Sequence, residues 1–153
     1  MKRMIHIDTR LGSIGIAEED GHITDVFFSS ETPPQALTEQ TPLLKDAAAQ
    51  IVDYLAGRRR SFDLPLLPCG TEFQKNVWNA LLQIPYGQTK TYQEIAEAVG
   101  NPKACRAVGN ANNKNPISIL IPCHRVIGKN GSMVGYGGGL AIKEQLLALE
   151  RTD

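Results

Sequence analysis

Long hydrophobic runs are missing from this 153-residue chain, which excludes a membrane helix of roughly 20 apolar residues. Met1-Lys2-Arg3 leads into alternating residues instead of a signal-peptide core, so a soluble, unprocessed protein of the cytoplasm is expected. Cysteine is scarce as well. Cys69, Cys105 and Cys123 are far apart and odd in number, so they draw neither a disulfide framework nor a CxxC zinc site. His6, His22 and His124 are equally scattered, and no metal is expected. The glycine-rich stretch 135–139 carries no phosphate-loop lysine, and nothing else in the chain calls for a cofactor. Net charge is absent too, at a formal zero, but its distribution is uneven: no acid occurs between Glu97 and Glu144, where Lys103, Arg106, Lys114, Arg125, Lys129 and Lys143 all fall. That window is a candidate for contacts to nucleic-acid phosphates, although a solvated surface would look the same.

What is present reads as an α+β chain with a scaffold domain over residues 1–66, a linker near 65–70 and a second domain over 70–153. Ile5 and Ile7, Ile14 and Ile16, and Ile23 with Val26 to Phe28 mark short strands of a small antiparallel sheet, with Asp20-Gly21 as a hairpin turn. Thr41 and Pro42 open a helix that carries Leu44, Ala48, Ile51 and Leu55 and stops at Gly57. The second domain is mostly helical. Thr71 with Gln74 and Thr91 with Glu94 form capping boxes ahead of two helices. Asn101 then caps a third with Pro102 at its first position, giving the outline of a helix-turn-helix. Its second helix is rich in small residues, Ala104, Ala107, Gly109 and Ala111, with Arg106 as the long side chain among them. A final amphipathic helix places Ile142, Leu146 and Leu149 inward.

The stretch from Asn115 to Gly128 is where chemistry concentrates. An apolar run bounded by prolines delivers Cys123, with His124 directly after it. A buried cysteine is often only a small hydrophobe, so packing and catalysis are evenly matched on this stretch alone. As a nucleophile the thiol needs a base, and His124 is the obvious one. Adjacent side chains diverge along a strand or helix, so a water or a turn must join the two. A carboxylate would fix the imidazole tautomer, and Glu144 is the candidate.

Ile121-Pro122-Cys123-His124-Arg125-Val126, together with Arg106-Ala107-Val108-Gly109, Asn115-Pro116, Tyr136-Gly137-Gly138-Gly139 and Lys143-Glu144, closely resembles the O6-alkylguanine-DNA alkyltransferases. The resemblance covers roughly residues 70–150. It implies a ribonuclease-H-like first domain and a winged-helix-like second one. It also implies a protein that flips O6-alkylguanine out of duplex DNA and moves the alkyl group irreversibly onto its own Cys123, once per molecule. His124 and Glu144 then activate the thiol through a water, and Tyr92 rotates the target nucleotide and donates a proton. Arg106 fills the vacated space, with the small residues Ala107 and Gly109 close to the DNA; Lys103 and Arg125, from the acid-free window, are expected as further DNA contacts. The same resemblance makes Asn115 a hinge and puts Ser118, Val126, Tyr136 and Gly137 around the pocket. Major-groove docking is the default for a helix-turn-helix; the family uses the minor groove. The expected partner is therefore double-stranded DNA carrying the lesion, bound by a monomer, with cooperative binding left open.

Some positions depart from the family pattern. Ser118 stands where several members have a second proline, Gly137 where some have a small polar residue, and Asn112 and Asn113 where others are apolar or basic. Two other functions compete with alkyl transfer: a non-catalytic module that only recognises lesions, and a cysteine hydrolase unrelated to DNA.

Overall fold

The computed structural model describes residues 1–132, 136 and 138–151. Its chain forms two compact units, Met1–Cys69 with Pro116–Leu120, and Gly70–Asn115 with Ile121–Asp153.

In the first unit, β1 (Lys2–Thr9), β2 (Gly12–Glu19), β3 (His22–Phe28) and β4 (Ala36–Thr38) make one sheet of order β3-β2-β1-β4. The expected hairpin is there: Asp20 and Gly21 both take positive φ, 52° and 78°, between antiparallel β2 and β3. The sheet is not purely antiparallel, however. β4 joins β1 in parallel, a three-residue strand with no alternation for a sequence pattern to register. The central strand β2 is buried on both faces. Gly15 is required there because a Cβ would come within 2.1 Å of the Phe27 ring. Helix α1 (Pro42–Leu55) packs on this strand, capped by Thr41, with Leu44, Ala47, Ile51 and Tyr54 fully buried.

Two single rungs close the outer edge of β3. Leu67 donates to the Ile23 carbonyl at 2.8 Å, and Ser118 donates to the Val26 carbonyl at 3.1 Å. Covering an edge in this way removes a template for unwanted strand pairing. Just past the second rung, Ile119 takes φ 72°, unusual for a β-branched residue, and Leu120 N–H closes a three-residue turn on the Ser118 carbonyl at 2.8 Å. The chain thus reverses within one residue.

The second unit holds α2 (Glu72–Leu82), β5 (Lys90–Thr91), α3 (Tyr92–Ala98), α4 (Cys105–Asn113), β6 (Val126–Ile127) and α5 (Leu140–Glu150). Both expected capping boxes are present, at Thr71/Gln74 and Thr91/Glu94. Helix α4 begins later than Asn101-Pro102 suggests. Ala104 N–H bonds back to the Asn101 carbonyl at 3.0 Å, so Pro102 and Lys103 occupy the centre of a turn, a position that suits proline as well as a first helical position does. Trp78 is buried and donates its indole N–H to the Ala111 carbonyl at 2.9 Å, which fixes the end of α4 against α2.

Candidate active site

Pro122 (φ −79°, ψ 64°) bends the chain so that Cys123 N–H meets the Ile121 carbonyl at 2.7 Å, and residues Cys123–Arg125 form one 3₁₀ turn. Three residues per turn separate the Cys123 and His124 side chains by about 120°. Their adjacency in sequence therefore sends them to different neighbours.

His124 is wholly buried, and its Nε2–H is given to Glu150 Oε2 at 2.7 Å. The expected partner, Glu144, is exposed and is corrected here to Glu150. The physical reason is the face of α5 that turns inward. Lys143, Leu146, Leu147 and Glu150 recur at helical spacing and are buried, and Glu144 is rotated about 100° from Lys143 into solvent. Ile142 and Leu149, expected inward, are only half-buried.

Arg125 also requires correction. Its side chain is buried and therefore not a DNA contact: Nε donates to Glu150 Oε1 at 2.8 Å, Nη2 to Oε2 at 2.9 Å, and Nη1 to the Ile84 carbonyl at 2.8 Å. The guanidinium lies 5.7 Å from the centre of the Tyr86 ring. A planar fork holding both carboxylate oxygens fixes Glu150, and Glu150 in turn fixes the imidazole.

Electrostatics follow from this burial. Desolvation pushes the His124 pKa below 6.5; Glu150 opposes the shift, while Arg125 and Lys143 add to it. The imidazole is therefore neutral at neutral pH, and with the proton on Nε2 its lone pair is on Nδ1. Lys143, with no exposed surface, has its pKa lowered by desolvation, and the charge of Cys123 pulls it the other way.

Tyr92 reaches this turn by way of a two-rung parallel pairing, Lys90 with Val126 and Thr91 with Ile127, which sets the first residue of α3 beside the residues that follow the cysteine. Desolvation and the charge of Cys123 raise its pKa, and a side-chain hydrogen bond with Asn112 lowers it. Asn115 donates its amide to the Ile121 carbonyl at 2.8 Å, and Asn112 donates to the Cys123 carbonyl at 3.3 Å. Val126 is fully buried, and Tyr136 is half-buried.

Ser118 belongs to the first unit, where it is buried. Gly137 lies outside the described residues. Lys103 is exposed in the turn before α4, and Arg106 and Ala107 are exposed in its first turn, with Asn110, Asn113 and Lys114 continuing the exposed, acid-free face of that helix, while Gly109 is half-buried beneath the Tyr92 ring. Sequence reasoning missed Glu150 as the carboxylate. The signal that could have found it is its seven-residue spacing from Lys143 across Leu146 and Leu147. Among the described residues, no group of three or more His, Cys, Asp or Glu side chains could hold a metal ion, and no helix is long and apolar enough to cross a membrane.

Comparison with known proteins agrees across the chain. A family model described as 6-O-methylguanine DNA methyltransferase, DNA binding domain, matches residues 72–152, and one described as the ribonuclease-like domain of that methyltransferase matches residues 3–68. The chain is 59% identical over 117 residues to the methylated-DNA–protein-cysteine methyltransferase of Methanosarcina acetivorans, covering 76% of this chain and 75% of the relative. It is 48% identical over 152 residues to the constitutive methylated-DNA–protein-cysteine methyltransferase of Bacillus subtilis, covering 94% and 92%. Mycobacterium tuberculosis OGT, solved in complex with DNA, is similar with a TM-score of 0.92 and 43% identity, over 97% of this chain and 92% of that one.

Proposed function

We propose, from the premise that this chain belongs to the 6-O-methylguanine DNA methyltransferase family, that Cys123 is the cysteine that receives the alkyl group. The chain is a DNA-repair methyltransferase that acts by direct alkyl transfer. The observation that carries the assignment is that Cys123 alone of the three free cysteines is buried, and it shares a turn with a buried histidine held by a buried carboxylate.

In this reading the substrate is O6-alkylguanine in duplex DNA, turned out of the stack at a cost of roughly a few kcal/mol. Arg106, exposed near the start of α4 in a face without acids, enters the vacated space, and Lys103 contacts phosphate. The small residues Ala107 and Gly109 let α4 lie close to a minor groove. His124 takes the thiol proton at Nδ1 through a water molecule. The sulfur attacks the alkyl carbon, a C–S bond forms as the C–O bond breaks, and the bonding pair leaves with the guanine oxygen. Tyr92, whose raised pKa keeps it protonated, supplies a proton to the departing purine, and the thiol proton restores the balance. Lys143 favours the negative sulfur during this step. Tyr136 and Val126 line the pocket, and Asn115 ties it to α4.

A thioether has no good leaving group, so each molecule reacts once. The first unit acts as scaffold, the protein works as a monomer, and a thiol that must stay reduced suits the cytoplasm. Mixing the protein with an excess of methylated duplex tests the reading: methyl loss from DNA stops at one equivalent per protein. Continued turnover, or hydrolysis of esters in its place, would overturn it.

A further inference from the structure

Two asparagines three residues apart, Asn112 in the last turn of α4 and Asn115 just beyond it, donate to carbonyls two residues apart, Ile121 and Cys123. The family resemblance makes Asn115 a hinge, and it marks Asn112 only as a departure from the family pattern. Asn112 is 2% exposed, which is far more burial than a polar residue at a helix end ordinarily accepts.

The surroundings explain what the amide is for. The Tyr92 ring lies over Gly109, where an added Cβ would be 3.9 Å from ring carbons Cδ1 and Cε1. Asn112 is three residues further along α4, on the same face, which brings its amide toward the hydroxyl end of that ring. The amide group has two hydrogens. One goes to the Cys123 carbonyl, which also accepts the Val126 N–H. Oδ1 has no hydrogen-bond partner among the described residues, so both of the amide's contacts run through its nitrogen.

We propose that Asn112 is a positioning residue for alkyl transfer, donating one amide hydrogen to the Cys123 carbonyl and the other to the Tyr92 hydroxyl oxygen. One side chain then fixes both the backbone of the nucleophile and the proton donor. With its oxygen held by this donor, the Tyr92 hydroxyl is fixed in place as the proton donor. The downward pull of this hydrogen bond on the Tyr92 pKa agrees, since a donor into the phenol oxygen stabilises the phenolate and makes the hydroxyl a better acid. Leucine at this position would fill the space and donate nothing. Aspartate would keep the shape but only accept, and would turn the Tyr92 hydroxyl back toward itself.

The inference rests on Cys123 as nucleophile and Tyr92 as donor, and a double-mutant cycle on the full chain separates its failure from theirs. The readout is the single-turnover rate of methyl transfer from a methylated duplex. If the native protein transfers no methyl group to Cys123, the underlying reading fails. If it does, Asn112→Leu slows transfer about tenfold in the native background, as one lost hydrogen bond gives. In a Tyr92→Phe background the same substitution slows transfer less than about threefold, because the group it acts through is gone. Equal losses in both backgrounds would mean a packing role only and overturn the proposal. Asn112→Asp, closest in shape, covers the case in which the leucine variant does not fold. It gives a comparable loss, and a native rate would again overturn the proposal. Titration of the Tyr92 phenolate absorbance, taken as the difference from Tyr92→Phe, moves to higher pH in both Asn112 variants. An unmoved titration contradicts the contact itself.

Discussion

The two compact units bury polar groups to different ends. In the first, the buried polar residues are Glu18, Thr24, Gln50 and Ser118, and the bonds of Gln50 illustrate their use. Its amide spans Asp46 Oδ1 and both backbone groups of Asp63, pinning a loop to α1. In the second, four of the six among the described residues are ionisable or permanently charged, His124, Arg125, Lys143 and Glu150, and with Asn112 and Asn115 they are arranged about a single turn. Buried charge seldom adds stability over well-packed apolar residues. Its concentration around Cys123 is therefore the mark of a site, whereas in the first unit Gln50 satisfies backbone and Glu18 accepts from the Thr41 hydroxyl.

Substitutions that break this contrast should rank by how directly they touch the turn. The largest effect belongs to Glu150→Gln, which leaves Arg125 without its counter-charge and weakens the hold on His124. Transfer falls by roughly 10² or more, as loss of general-base catalysis gives, and unfolding in urea shows a deficit of about 3 kcal/mol. Glu144→Gln, one turn-face away, leaves the transfer rate unchanged, and a loss there would restore the partner that the sequence pointed to. Arg106→Ala comes next. It weakens repair of a methylated duplex several-fold while reaction with the free modified base is untouched, and equal losses would remove its role in base flipping. Gln50→Leu samples the first unit. It costs about 1–3 kcal/mol for the unpaired Asp63 backbone, measured by denaturant titration, with the transfer rate of the folded protein unaltered.

The smallest effect is on pH dependence. Because burial lowers the His124 pKa, the neutral base persists as pH falls through 6.5, and the acid limb of the transfer rate lies below that value. The same shift links to stability. The histidine of the unfolded chain takes up a proton first, so this contribution is complete above pH 6.5 and is lost as pH falls below it. An acid limb centred above pH 6.5 would mean that Glu150 outweighs desolvation.

What could be read from the sequence was local. The capping boxes at Thr71 and Thr91 and the Asp20-Gly21 hairpin follow from side chains and dihedrals a few residues apart, and they stand where expected. The resemblance around Cys123 carried the family and the chemistry. Non-local pairing was less legible: β4 is too short to show alternation, and the rung at Ser118 joins residues about ninety positions apart in the chain. The α5 carboxylate was misplaced for a related reason. Its inward face includes Lys143 and Glu150, and a search for apolar periodicity assigns such residues to solvent. The sequence points to Arg125 as a DNA contact because an arginine among cations in an acid-free window has no carboxylate within that window; Glu150 lies 25 residues on.

Peptide mapping by mass spectrometry after one equivalent of methylated duplex tests the central claim most directly, because it reads the fate of all three cysteines at once. The expected result is one added methyl group on the peptide containing Cys123, with the Cys69 and Cys105 peptides unmodified, although Cys69 is exposed and Cys105 partly so. Methyl groups on those accessible thiols, or an unmodified Cys123 peptide after the lesion has gone, would contradict it.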